Sequence, residues 1–88
     1  SNHVIGVTED EKGIYYITDE GHEFYYLSTY TFADKSQQII NKEKWDIEQV
    51  FFSPNNTYRA LLINEDAQNK LKIYTNKDNK QVKIPNLP

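Results

Sequence analysis

Four serines, two histidines and thirteen carboxylates are the side chains of this 88-residue chain that could carry covalent or acid–base chemistry. A hydrolytic triad needs a serine nucleophile, a histidine base and an acid that orients the base. The candidate nucleophiles are Ser1, Ser28, Ser36 and Ser53, and the candidate bases are His3 and His22. No Gly-x-Ser-x-Gly elbow surrounds any of these serines, so a triad within the chain is not expected. The turn Asp19-Glu20-Gly21-His22-Glu23 gathers oxygen and nitrogen ligands, but it lacks the ligand ladder of a calcium loop and reads as a solvated acidic hairpin. Without cysteine there is neither a disulfide framework nor a thiolate zinc site. Asn55-Asn56-Thr57 matches the N-glycosylation triplet, although a plain turn explains it as well. The expected catalytic, cofactor-binding and metal-ligating residues are therefore none, and no cofactor is expected.

The elements that would position any site read as strands throughout. Trp45-Asp46-Ile47-Glu48-Gln49-Val50-Phe51-Phe52 is a polar lead-in to an apolar strand, which Ser53-Pro54-Asn55-Asn56 then stops. Ala60-Leu61-Leu62-Ile63 follows as the second arm of a hairpin. Alternation and turn residues predict eight strands near 3–7, 14–18, 23–32, 37–41, 47–53, 59–64, 70–75 and 80–84, with helix nearly absent. Phe24–Phe32 reads as the longest strand. A period of two puts Phe24, Tyr26, Tyr30 and Phe32 on one face and Tyr25, Leu27 and the threonines on the other. Its tyrosines could stack on a sugar or a peptide, yet apolar residues on both faces point to a strand covered on both sides. Lys72 alternates with Leu71 and Ile73 as on a half-exposed strand.

The strand order repeats. Sliding the chain by 47 places lays Ile14-Tyr15-Tyr16-Ile17 on Leu61-Leu62-Ile63-Asn64, and the offset falls to about 44 at Asp34 and Asp78. Two units are expected, 1–44 and 45–88, with Ser1-Asn2-His3 reading as the remnant of a cloned tag. Two repeats of about 45 residues with four strands each have the period of a β-propeller blade. The alternative is an eight-stranded meander whose repeat is accidental.

At this point a resemblance carries further than composition. Asp46-Ile47-Glu48-x-Val50-x-Phe52-Ser53-Pro54-Asn55-Asn56, Leu61-Leu62-Ile63-Asn64-Glu65-Asp66 and Lys70-Leu71-x-Ile73-Tyr74 resemble the propeller blades of prolyl-oligopeptidase-type serine peptidases and TolB-like repeats. Gly13-Ile14-Tyr15-Tyr16-Ile17-Thr18-Asp19-Glu20-Gly21 is similar to a second strand and its turn in such a blade, and Ile84-Pro85-Asn86-Leu87-Pro88 to a linker between blades. Asn55-Asn56 stands where that family has Asp-Gly. The resemblance implies an all-β fold of two four-stranded antiparallel propeller-type blades, a piece of a larger propeller. It also implies a parent whose Ser, Asp and His lie in a separate hydrolase domain, with peptide as substrate. The implied partners are the remaining blades and that hydrolase domain. The alternatives are a TolB-like protein-interaction module and a small free-standing domain that binds a ligand through its tyrosines.

Charge and hydropathy limit the other partners. The net charge is −3, with four cations against eight carboxylates in residues 1–44 and six against five in 45–88, so neither half offers a basic field to nucleic acid. No apolar run approaches the roughly 20 residues that cross a bilayer as a helix. Localisation is left open between cytoplasm and periplasm. Apolar strands with too few neighbours to cover them predict self-association of the isolated chain.

Overall fold

The computed structural model describes residues 1–83. Eight strands alternate with turns: β1 (Asn2–Val7), β2 (Gly13–Thr18), β3 (Tyr26–Thr31), β4 (Ser36–Asn41), β5 (Asp46–Phe52), β6 (Tyr58–Glu65), β7 (Gln68–Thr75) and β8 (Gln81–Val82). They form two antiparallel four-stranded meanders in the orders β1-β2-β3-β4 and β5-β6-β7-β8, and the described residues contain no helix. The fold is thus all-β. The last expected strand, 80–84, is present as Gln81–Val82, while its end at Ile84 and the linker-like 84–88 lie outside the described residues.

Each first strand carries a one-residue bulge. Register slips between Val4 and Gly6 opposite Tyr16 and Tyr15, and between Ile47 and Gln49 opposite Ile63 and Leu62. A bulge re-aims the residues beyond it and sharpens local twist. Gly6, just past the first bulge, has the Phe52 ring so close that a Cβ would lie 3.3 Å from it. At Gly13 the approach is closer still: a Cβ would stand 2.2 Å from the Tyr30 carbonyl, so only glycine fits where β2 leaves its turn.

One expectation needs correction. Phe24–Phe32 is not one long strand; β3 starts at Tyr26, and the longest strands are β6 and β7, with eight residues each. The Tyr25 backbone leaves the first sheet to serve the second. Its N–H donates to Asp46 Oδ1 at 2.9 Å, and its carbonyl accepts the Ile47 N–H at 3.2 Å. Phe24 accordingly lies beside Trp45, with ring centroids 6.3 Å apart, and is not part of an aromatic row with Tyr26 and Tyr30.

The two sheets stack into a slab of 47 × 31 × 17 Å. Tyr15, Ile17 and Leu27 of the first sheet meet Ile47, Leu61 and Ile63 of the second, and all six are buried. Ile5, Tyr25, Ile40, Val50, Phe52 and Tyr74 close the rim of this core. Sheets pack about 10 Å apart, so a slab this thin holds two layers and leaves one face of each sheet uncovered.

Candidate interaction surfaces

The joint between the sheets is held by a buried arginine. Arg59 on β6 is 1% exposed, and its five N–H donors all meet neutral acceptors. Nε and Nη2 donate to Asn41 Oδ1 at 3.1 and 2.7 Å. Nη1 donates to Asn76 Oδ1 at 3.0 Å and to the Thr75 carbonyl at 3.4 Å, and Nη2 also donates to Asn79 Oδ1. Its guanidinium lies 5.3 Å from the centre of the Tyr74 ring. Burial pulls the pKa of Arg59 below its ordinary value, with Tyr15, Tyr74 and Glu9 acting against that shift. Asn41 ends the first sheet and Asn76 and Asn79 belong to the β7–β8 turn, so one side chain ties the two sheets and a turn together. Arg59 was not singled out in the sequence. Its one signal is a lone cation directly before the apolar run Ala60–Ile63 of the same strand. Lys72, read as half-exposed, turns to the same side and pairs with Glu43 in the link between the sheets.

Tyr15 shares this joint. Its ring packs on Phe52 with centroids 4.9 Å apart, and its hydroxyl donates to Glu9 at 3.2 Å. Burial, with Glu9 beside it, pushes the Tyr15 phenol up to about 12. Unfolded tyrosine loses its proton near pH 10, so the folded state holds this proton more tightly. The Tyr15 contribution to stability is therefore complete below about pH 10 and disappears as the pH rises through about 12. Denaturant midpoints measured from pH 8 upward should fall more steeply for the wild type than for Tyr15→Phe. Parallel curves would show that the phenol is not held in this way.

The turns establish how the two sheets correspond. Thr8, Asp10, Glu11 and Gly13 recur 45 places on as Ser53, Asn55, Asn56 and Tyr58, with the same bonds. In both turns the hydroxyl donates to the Asp or Asn Oδ1, at 2.7 and 3.1 Å. That oxygen also accepts the N–H two residues on, at 3.0 and 3.1 Å. The hydroxyl in turn accepts the N–H five residues on, at 3.1 and 3.0 Å. Glu11 and Asn56 take left-handed φ of 61° and 59°, the conformation in which glycine is the favoured residue. The third turns match 44 places apart, Lys35 with φ 58° on Asn79 with φ 53°. The first offset read from the sequence, 47, is thus two residues too long, because apolar runs were aligned and the hydroxyl–Asx pair was not.

This correspondence has a geometric result. Tyr15, Ile17, Leu27 and Thr29 of the first sheet map onto Ala60, Leu62, Leu71 and Ile73 of the second. The first four lie in rows that face the joint, while the second four face away from it. The sheets therefore meet head to tail, the second using the opposite side from the first. Outside, the second sheet shows the row Phe51-Ala60-Ile73-Val82 and beside it Gln49-Leu62-Leu71. Phe51 and Leu71 are about half exposed, and a shallow depression of about 450 Å³ lies over this face. The first sheet shows Val7-Ile14-Tyr30-Gln37 and the row Val4-Tyr16-Ser28-Ile39, in which the small Ser28 is covered by its neighbours. Not one of these rows holds a charged residue.

The other candidates are dispersed. Ser28 is fully buried and accepts from Gln37 Nε2 at 3.3 Å; Ser36 and Ser53 sit at turns, where the Ser36 N–H donates to Asp34 at 3.1 Å. Ser1 Oγ lies 3.4 Å from His3 Nε2 and 3.3 Å from the Tyr25 hydroxyl, all at an exposed edge. His22 stacks edge-on against Tyr26 at 4.8 Å, and Asp19 accepts the N-terminal ammonium at 2.9 Å. The Asn55 amide oxygen is spent within its turn. Among the described residues no three His, Asp or Glu side chains converge as a metal-binding group, and no helix is long and apolar enough to cross a membrane. A depression of about 780 Å³ runs along the seam past His3, Tyr25, Asp46, Glu48 and Asn64, with core residues Ile17 and Ile47 in its lining. Asp46 there is already engaged by the Tyr25 N–H.

Fold and surfaces together define an all-β protein of two repeated antiparallel four-stranded meanders. No protein-family model, curated protein or solved structure matches this chain.

Proposed function

We propose that this chain is a non-catalytic β-propeller segment, two consecutive blades of a prolyl-oligopeptidase-like serine peptidase. In that reading it acts as scaffold and as part of the region through which peptide reaches a separate hydrolase domain. The observation that carries the reading is the head-to-tail packing of two equivalent meanders, since radial repeats present two different faces to their neighbours. The Ser53-Pro54-Asn55-Asn56 turn, with its left-handed Asn56, supports the kinship with peptidase and TolB-type blades. A TolB-like interaction module is the second reading, favoured by the charge-free outer rows that a protein partner would cover. A Gly-x-Ser-x-Gly elbow and a late histidine downstream in the encoding reading frame would select the first; their absence there would select the second.

The isolated chain should show no turnover of chromogenic ester and peptide substrates, because its serines and histidines are not assembled into a nucleophile–base pair backed by an acid. Activity that survives repurification but vanishes in Ser28→Ala, Ser36→Ala or Ser53→Ala would overturn this.

A further inference from the structure

We propose that copies of this chain associate head to tail, the outer face of the second sheet on one copy seating against the outer face of the first sheet on the next. The joint already present inside the chain sets the pattern. Within the chain, the face bearing Tyr15, Ile17 and Leu27 is covered by the face bearing Arg59, Leu61 and Ile63. Ala60, Leu62 and Leu71 are the repeat equivalents of the first three and keep their cross-strand registers: Ile17 opposite Leu27 becomes Leu62 opposite Leu71. Ile14, Tyr16 and Thr18 are likewise the equivalents of Arg59, Leu61 and Ile63. The two outer faces are thus the two halves of the internal joint, carried on opposite sides of the molecule.

Composition agrees with this pairing. A sheet face left in water alternates toward polar and charged residues. Here the four outer rows named above carry Phe51, Leu71, Val4, Val7 and Ile39 at 43–66% exposure and no charge; the end row Asp46-Asn64-Asn69 adds one carboxylate, which already accepts the Tyr25 N–H. The occupant is a second copy because each outer face is built as the partner of the other. A face pairing with itself would set Leu62 and Leu71 against their own kind, an arrangement the internal joint does not use. Arg59 has Ile14 as its equivalent, so the joint between copies lacks the arginine clamp and relies on apolar burial. Such a heterologous contact leaves one free face at each end and grows until a ring closes or the protein runs out. The inference stands on the repeat-related faces alone and does not need the peptidase reading.

The test uses two double variants at exposed positions, where a carboxylate can be solvated in the monomer. Phe51→Glu/Leu71→Glu spoils the outer face of the second sheet, and Val7→Glu/Ile39→Glu that of the first. Light scattering on a sizing column should show wild-type mass rising with concentration through the micromolar range. Each variant alone should run as a monomer, with far-UV circular dichroism and a denaturation transition matching the wild type. An equimolar mixture should give a complex of two chains and nothing larger, since one intact face remains on each. A monomeric wild type would overturn the proposal, as would a variant that still associates alone or a mixture that stays monomeric with both variants folded.

Discussion

Arg59→Ala should lower the unfolding free energy by about 3–5 kcal/mol, read as a drop in urea midpoint at unchanged slope. The substitution leaves the buried Asn41 amide oxygen without its donor, and takes the same donor from the part-exposed Thr75 carbonyl and the Asn76 and Asn79 amide oxygens, where water can replace it in part. A buried acceptor stripped of its partner costs about 1–3 kcal/mol, and the aliphatic stem of Arg59 is lost as well. Arg59→Lys should recover little, because a compact ammonium cannot span acceptors arranged for a planar fork. Asn41→Leu alone should cost about 1–3 kcal/mol by orphaning Nε and one Nη2 hydrogen. Joined with Arg59→Met, it should cost less than the two single changes added, since partners removed together leave fewer unmet groups. An Arg59→Ala change within about 0.5 kcal/mol of wild type would mean that the clamp contributes nothing to the joint.

Leu27→Ala and Leu61→Ala should each cost about 3–5 kcal/mol, the range for a fully buried leucine whose cavity cannot collapse. Both are 0% exposed and sit at the centre of the inter-sheet cluster. With domain stabilities of about 5–15 kcal/mol, the double variant should be largely unfolded at room temperature. Leu62→Ala should cost distinctly less in dilute solution, because Leu62 lies on the outer face, and it should matter more at concentrations where copies associate. Leu62 and Phe52 are alike as apolar strand residues, but only Phe52 faces the joint, against Tyr15. Equal costs at Leu61 and Leu62 in the monomer would mean that the assignment of inner and outer faces is wrong.

Much of the fold was legible along the chain. Period-two aromatic and β-branched runs located all eight strands, and Pro54, Gly21 and the Asx-rich turns located their ends. The absence of a nucleophile elbow was equally plain, because it is a matter of local spacing. The repeat was visible but slipped by two residues, since Ile14–Ile17 and Ala60–Ile63 resemble one another at several offsets, whereas the Thr8–Asp10 and Ser53–Asn55 pairs resemble one another at only one.

What the sequence could not determine was which side of each strand turns inward. Leu61 and Leu62, or Tyr15 and Tyr16, are nearly equivalent as strand residues, and alternation sorts them into two sets without saying which set meets the other sheet. That choice was made by contacts between residues far apart in the chain: Asp46 and Ile47 drawing the Tyr25 backbone out of β3, and Asn41 meeting Arg59 across 18 residues. A strand apolar on both faces encodes a sheet with two buried sides, and only the stacking of one sheet on another decides which is filled within the chain.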